Sequence, residues 1–238
     1  MLSVEGLGRR YGGVVALEDV SLAADAGAVH GLIGPNGSGK TTLVDLATGF
    51  DAPSSGRVRL DGNDVTGLRP AARCRAGMGR TFQDLRLWPS MSVREHVIVG
   101  AHPHARRARD ARWAGELLGA VGLAQQAERP AGALSLPDQR RLELARALAG
   151  EPRVLLLDEP AAGLPAADLP VVSELVASLR SAGMAVLLVE HHVEMVLELC
   201  DVVSVLDEGR LIAQGPPQQV RADQRVVEAY LGGGGEGQ

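Results

Sequence analysis

The 238-residue sequence predicts an α/β fold: a mainly parallel sheet, a small antiparallel β portion in front of it, and a helical subdomain. Three observations predict this. Short apolar runs, Val154 to Leu157, Met184 to Val189 and Val202 to Leu206, alternate with helical patterns at Leu169 to Ser181 and Val193 to Leu199. Strands alternating with helices give a mainly parallel sheet, and continuously apolar strands are buried on both faces. Residues 1 to 30 read instead as consecutive short strands, and residues 85 to 150 carry apolar positions at helical spacing.

Taken in order, Leu2 to Glu5, Val14 to Val20 and Ala28 to Ile33 are strand-like, the last two separated by the turn Asp25-Ala26-Gly27. Gly34 to Gly39 breaks the chain and Thr41 to Thr48 comes next as a helix. Gly56 to Leu60 is a strand ending in the turn Asp61-Gly62. The helical subdomain, about residues 85 to 150, places Leu117, Leu118, Val121 and Leu123, then Leu142, Leu144, Ala145 and Leu148, on apolar faces. Leu211 to Ala213, after the turn Glu208-Gly209, completes an antiparallel edge pair. The expected organisation is one domain over residues 1–231, the helical subdomain inserted in it, and a flexible glycine-rich tail over 232–238.

Composition narrows the function classes. Hydrophobic residues make up 45% and charged residues 22%, which excludes a disordered chain. No apolar run approaches the roughly 18 to 20 residues that span a bilayer. Met1 to Gly6 lacks a basic region followed by an apolar core, so no secretory signal is expected. Cys74 and Cys200 form neither a disulfide framework nor a zinc spacing and read as two reduced thiols. The net charge of −5 argues against a large nucleic-acid interface. The 24 basic residues are 23 arginines and one lysine, Lys40. One site alone keeps a compact ammonium, which a planar guanidinium does not replace.

That lysine lies in Gly34-Pro35-Asn36-Gly37-Ser38-Gly39-Lys40-Thr41, a full match to G-x-x-x-x-G-K-[ST], between an apolar strand and a helix. The glycines let successive amides curl around phosphate oxygens, and the helix N-terminus adds positive potential. Lys40 is expected on the β- and γ-phosphates of a nucleotide and the Thr41 hydroxyl on Mg²⁺. A second carboxylate is supplied by Val154-Leu155-Leu156-Leu157-Asp158-Glu159, an apolar strand ending in two acids. Asp158 would face the crevice at the strand ends and hold Mg²⁺ through water, and Glu159 would polarise an attacking water.

With these residues in place the chain resembles the ATP-binding subunit of an ATP-binding-cassette (ABC) transporter, a P-loop NTPase with an ABC-ATPase core, from Leu2 to Leu231. The resemblance implies further roles. Tyr11 stacks on adenine, and the phosphate loop extends from Gly34 to Thr42. Gln83, in Arg80-Thr81-Phe82-Gln83, contacts Mg²⁺ and senses the membrane partner. Ser135 belongs to the signature region of Leu134 to Leu148, and His191 contacts the γ-phosphate. Within the family the resemblance is to the branched-chain amino acid importer type, carried by Arg80 to Gln83, Met91 to Glu95, Asp158 to Leu164 and Val226 to Gly232. Lipopolysaccharide-export ATPases and importers of urea or other amides share several of these strings. A repair or translation relative usually has tandem cassettes or a coiled-coil insertion; this chain has one phosphate loop and no heptad run.

Two departures stand out. The usual Leu-Ser-Gly-Gly-Gln reads Leu134-Ser135-Leu136-Pro137-Asp138 here, and Pro165 comes after Ala162-Gly163-Leu164 where an aspartate is common. Proline donates no N–H to a phosphate, though it suits a first helical turn. Asp138 adds a repelling charge. The family sandwiches two ATPs between two subunits, one chain's phosphate loop against the other's signature. A heterodimer with a full-signature subunit is therefore expected, with ATP and Mg²⁺ at one competent site; a regulatory cassette with weak hydrolysis is the alternative. The resemblance also implies separate permeases docking near Gln83 and Leu85 to Ser92, where Leu87, Trp88 and Met91 are candidate contacts. The chain would then sit peripherally on the cytoplasmic face of the membrane. The basic run Arg106 to Arg112 reads as a solvated face or a contact with anionic headgroups.

Overall fold

The computed structural model describes residues 1–101 and 111–232. Most of the basic run, Arg106 to Asp110, and the tail beyond Gly232 lie outside the described residues. The front of the molecule is a four-stranded antiparallel sheet of β1 (Leu2–Tyr11), β2 (Val14–Ala24), β4 (Ser55–Leu60) and β5 (Asn63–Asp64), in the order β2-β1-β4-β5. Between its halves run β3 (Val29–Ile33) and α1 (Lys40–Thr48). Then come α2 (Pro70–Arg75), β6 (Met78–Arg80), and three helices, α3 (Val93–Gly100), α4 (Ala111–Ala120) and α5 (Leu136–Leu148). The remainder is β7 (Val154–Asp158), α6 (Leu169–Ser181), β8 (Ala185–Val189), α7 (Val193–Leu199), β9 (Val202–Asp207), β10 (Arg210–Gly215), α8 (Pro217–Ala222) and α9 (Gln224–Gly232).

The central sheet has the order β10-β9-β3-β8-β7-β6, parallel throughout except for the antiparallel edge strand β10. All residues of β3, β7 and β8 are buried, as suits the apolar character of β8 and of Val154–Leu157 in β7; in β3 the buried His30 is held by Ala23 O and Ser204 Oγ. Alternate side chains serve two cores. Leu32, Leu156 and Leu187 face α1 and the front sheet, while Ile33, Leu155, Leu157 and Leu188 face α6 and α7. Burying each such side chain is worth about 1.5–3 kcal/mol. A Cβ on Gly31 would lie 2.5 Å from Val196 Cγ1 and 2.8 Å from Cys200 Sγ, so α7 packs directly on the β3 backbone. A third core, with Val97, Trp113, Leu118, Leu123 and Leu142, lies in the helical part, and Leu175 of α6 packs against it. Ser92 and Glu95 open α3 with a reciprocal capping box.

The register aligns the strand ends. Leu32 of β3 pairs with Val189 of β8, and Val189 pairs with Asp158 of β7. The segments starting at Ile33, Asp158 and Val189 therefore leave the sheet at one end.

The strand boundaries differ from expectation at the front, where β1 and β2 run on to Tyr11 and Ala24. Their pairing is interrupted by register shifts, which erase the alternation that would reveal long strands. The three-residue β6 and six-residue α2 are too short to carry a periodic signal.

Arg73 of α2 is 1% exposed, and no carboxylate among the described residues bonds it. Its guanidinium donates to the carbonyls of Leu46 and Ala47 at 2.6 Å each, Thr66 at 2.7 Å and Leu68 at 3.0 Å. It thus satisfies carbonyls at the negative end of α1, just before the left-handed Gly49 that ends the helix. Replacing it strands buried carbonyls. Arg73→Met is expected to lower unfolding stability by about 3 kcal/mol, read by urea denaturation; a loss below ~1 kcal/mol would show that the carbonyls find other partners.

Candidate functional site

Gly34 to Gly39 joins β3 to α1. The loop runs so close to the end of β9 that a Cβ on Gly34 would collide with the Leu206 carbonyl oxygen. Gly37 and Gly39 have φ of 80° and 105°, and a Cβ on Gly39 would meet Ala16 O at 2.8 Å. Helix α1 has Gly39 as its N-cap, no side-chain cap and no acid in its first turn. Its leading N–H groups are left for an external anion. Ser38 Oγ is buried with no hydrogen-bond partner among the described residues, as suits a loop completed by a ligand. Lys40 curls back into the loop, donating to Gly34 O at 2.8 Å and Pro35 O at 2.9 Å. Burial lowers its pKa below the usual lysine range, against the pull of Glu159 and Asp158. Thr41, in the first turn of α1, is exposed.

Asp158 ends β7, 4% exposed. Its Oδ2 accepts from Arg80 Nη2 at 2.9 Å. Burial pushes its carboxyl above the usual carboxylate range, against Arg80, while Glu159 and Asp45 push the same way as burial. Glu159 leaves the strand with φ of 48° and donates its N–H to Val189 O at 2.9 Å, which turns its side chain out of strand geometry. Its Oε2 accepts from Gln83 Nε2 at 2.8 Å and lies 4.0 Å from His191 Nδ1.

The structure therefore gathers Lys40, Gln83, Asp158, Glu159 and His191 at one end of the sheet. Within that group Gln83 engages Glu159 through its side-chain amide. Tyr11 and Ser135 have other partners. Tyr11, 47% exposed near the tip of the β1–β2 hairpin, donates to Asp51 Oδ2 at 2.5 Å and has the Arg9 guanidinium over its ring at 4.5 Å. Ser135 is the N-cap of α5, accepting from Asp138 N at 3.3 Å. Pro137 occupies the first turn of α5. Asp138 is bonded by Gln126 and Arg141, each at 2.9 Å. Burial opposes its ionisation, yet the Gln126 and Ser135 hydrogen bonds and Arg141 hold its pKa below the usual range.

Four further side chains at the site escape a sequence reading. Glu190, wholly buried, accepts from Ala161 N at 2.8 Å and His191 N at 3.2 Å, fixing the loops after β7 and β8. Arg80 bridges Asp158 and Asp45, the latter at 2.6 Å. Arg140 of α5 donates to Gln83 O at 3.0 Å and Ala162 O at 3.1 Å, and Glu143 accepts from Phe82 N at 2.9 Å. Each is a charged residue on or beside an apolar element, the one signal available in sequence.

A groove of about 620 Å³ opens beside this cluster, lined among others by Phe50, Arg80, Phe82, Leu87, Trp88 and Val99. Of the three apolar candidates expected there, Trp88 is exposed, while Leu87 and Met91 are partly buried and Leu87 packs on the helical core.

The sequence profile of the ABC transporter family matches residues 17–162, and that of the branched-chain amino acid ATP-binding cassette transporter matches 210–236. Over 98% of both chains the sequence is 39% identical to the high-affinity branched-chain amino acid transport ATP-binding protein BraF of Pseudomonas aeruginosa. It is 38% identical, again over 98% of both, to the corresponding protein LivG of Escherichia coli. The ADP conformation of an ATP-binding cassette of an ABC transporter superposes with a TM-score of 0.89, at 31% identity over 98% of both chains.

The collision at Gly34 makes the loop's path testable. Gly34→Ala is expected to weaken nucleotide binding about 100-fold, or ~3 kcal/mol, in a fluorescence titration. A loss under about threefold would mean that the loop binds by another path.

Proposed function

The chain belongs to the ABC transporter family as an ATP-binding, ATP-hydrolysing subunit, and from that premise we propose that it powers import of branched-chain amino acids or a related small solute. The observation that carries the solute class is the C-terminal match over residues 210–236, added to near-full-length similarity to BraF and LivG. In this reading residues 1–231 act as one ATPase domain and separate permeases supply the membrane path. Among the described residues no helix is long and apolar enough to cross a membrane. Attachment at the cytoplasmic face would come through the permeases. The Phe50–Trp88 groove, lined by apolar side chains together with Arg80, Arg86 and Arg146, suits a helix laid into it.

The site residues divide the work by position. The amides of Pro35 to Thr42 other than proline's, with Lys40, cradle the phosphates, and the exposed ring of Tyr11 offers the face not covered by Arg9 to adenine. The oxygen donors Thr41, Gln83 and Asp158 suit a hard cation, and Mg²⁺ there would neutralise charge on the phosphates. Glu159 takes the proton of, or orients, the attacking water, with Gln83 and His191 fixing its carboxylate; His191 also holds the γ-phosphate. Phosphoryl transfer needs little more than such positioning and electrostatic stabilisation.

Pro137 supports an asymmetric pairing. It stands within the first turn of α5, where an N–H would otherwise point out of the helix end, and it has none to give. The Asp138 charge is largely answered by Arg141, so the missing amide is the heavier of the two defects. We therefore place this chain in a heterodimer with a full-signature subunit, its own Lys40 and Glu159 forming the competent site.

Three outcomes test this. Glu159→Gln is expected to lower turnover about 10²–10⁴-fold while ATP binding persists; retained turnover would remove Glu159 from the reaction. Mg-ATP hydrolysis should be weak for the purified chain and appear on mixing with a full-signature subunit from the same source. Pro137→Gly with Asp138→Gln should raise turnover of the chain alone. Ordinary turnover by the unsubstituted chain alone would overturn the asymmetric pairing and leave a homodimer.

A further inference from the structure

The C-terminal helix α9 borders the phosphate loop. Tyr230 of α9 packs its ring on the core that includes Ile33 and Val205. These two residues pair across β3 and β9, directly before Gly34 and before the Leu206 carbonyl that Gly34 passes. Beside Tyr230, Glu228 and Ala229 line a cleft of about 500 Å³ together with Pro35 of the loop and Ile212 of β10.

Two hydroxyls flank Gly34, and both are unbonded. Among the described residues, the buried side-chain atoms without a hydrogen-bond partner are three arginine Nε atoms, Ser38 Oγ and Tyr230 Oη. Each of those arginines, 9, 80 and 140, is bonded through another nitrogen, whereas a hydroxyl has no second group to offer. Ser38 Oγ would lie 2.7 Å from a Cβ on Gly34. Burial pushes the Tyr230 phenol up to about 12, and the Gly34 N–H draws it back without completing a hydrogen bond. A buried tyrosine hydroxyl usually has a partner, which here must come from another position of the loop. Lys40 shows how that partner arises. Its ammonium donates to Gly34 O at 2.8 Å and Pro35 O at 2.9 Å. A phosphate attracts the ammonium more strongly than a neutral carbonyl does, because both partners are then charged. The Gly34 carbonyl is left without that donor, and Tyr230 has an O–H free beside Gly34.

We propose that Tyr230 is a positioning residue of the phosphate loop, whose hydroxyl donates to the Gly34 carbonyl when Lys40 turns from that carbonyl to a phosphate. This rests on the reading of Gly34 to Thr42 as the loop that holds a nucleotide's phosphates. While Lys40 holds the carbonyl, the hydroxyl has no partner and stabilises nothing. Once Lys40 leaves, the hydroxyl takes its place, and α9 holds the loop in its occupied form. The bond is made only in that form, so it adds to nucleotide affinity and not to the stability of the chain alone.

The test reads binding and stability, not turnover. Tyr230→Phe keeps the ring and removes only the hydroxyl. ADP, which engages the loop without a γ-phosphate, is titrated calorimetrically into the full chain, and urea midpoints are read without nucleotide. Affinity should fall roughly three- to tenfold, the worth of one hydrogen bond, while the midpoint does not fall. A tyrosine with a merely structural role gives the opposite pair, a lower midpoint and an unchanged affinity. A lowered midpoint, or an affinity loss under about twofold, overturns the proposal. Lys40→Met supplies a second readout that needs no nucleotide. With the ammonium gone the hydroxyl bonds Gly34 O already, so adding Tyr230→Phe should lower the urea midpoint in that background. A midpoint that stays put there overturns the exchange between lysine and tyrosine. The underlying reading fails separately: if Lys40→Met leaves ADP affinity untouched, the loop does not hold phosphate, whatever Tyr230→Phe does.

Discussion

The whole site depends on how closely the phosphate loop is pressed against the strand ends. Only a residue without a Cβ passes the Leu206 carbonyl at position 34, and at position 39, where φ is 105°, a Cβ would meet Ala16 O at 2.8 Å. The turn after β9 closes the same knot: Gly209 donates to Ser38 O at 3.0 Å, and Glu18 donates to Gly209 O at 2.8 Å. The loop is therefore clamped between the central sheet and the front sheet. A cradle for a polyanion gains from such rigidity, because amides already aimed at the ligand do not have to be ordered when it arrives.

Much of this is legible in the sequence. Strands β7 and β8 announce themselves as apolar runs, and the helices Leu169–Ser181 and Val193–Leu199 lie where their patterns place them. Lys40, Asp158 and Glu159 are readable because each sits where an apolar strand gives way to a loop or helix, whereas His191 is readable only through the family resemblance. The buried charges are not readable in this way. Arg73, Arg80, Arg140, Glu143 and Glu190 take partners mostly distant in the chain, such as Arg80 with Asp45 and Asp158. No local pattern encodes such pairings; they exist only once the register of the sheet is fixed. Asp138 illustrates the reverse case. By sequence it is a free negative charge, while in the fold Arg141 and Gln126 hold it.

The near-exclusive use of arginine takes on physical meaning in these contacts. Arg73 serves four carbonyls, Arg80 two acids and a hydroxyl, and Arg140 three backbone carbonyls in two loops. A planar fork addresses several acceptors in its own plane and leaves its faces free to stack on rings, whereas an ammonium has no planar face. The one lysine stands where a slender, compact charge must thread into a loop of backbone carbonyls.

Helix α5 belongs to two cores at once: Leu142 and Ala145 pack within the helical part, while Leu144 packs against the central sheet. Its Arg140 also grips the segments at Gln83 and Ala162. A body built this way behaves as a rigid crank and not as a pair of loosely strung beads. A tilt imposed on the helical part through its outer face would be felt at Arg140, and through it at the segments of Gln83 and Ala162 that it holds.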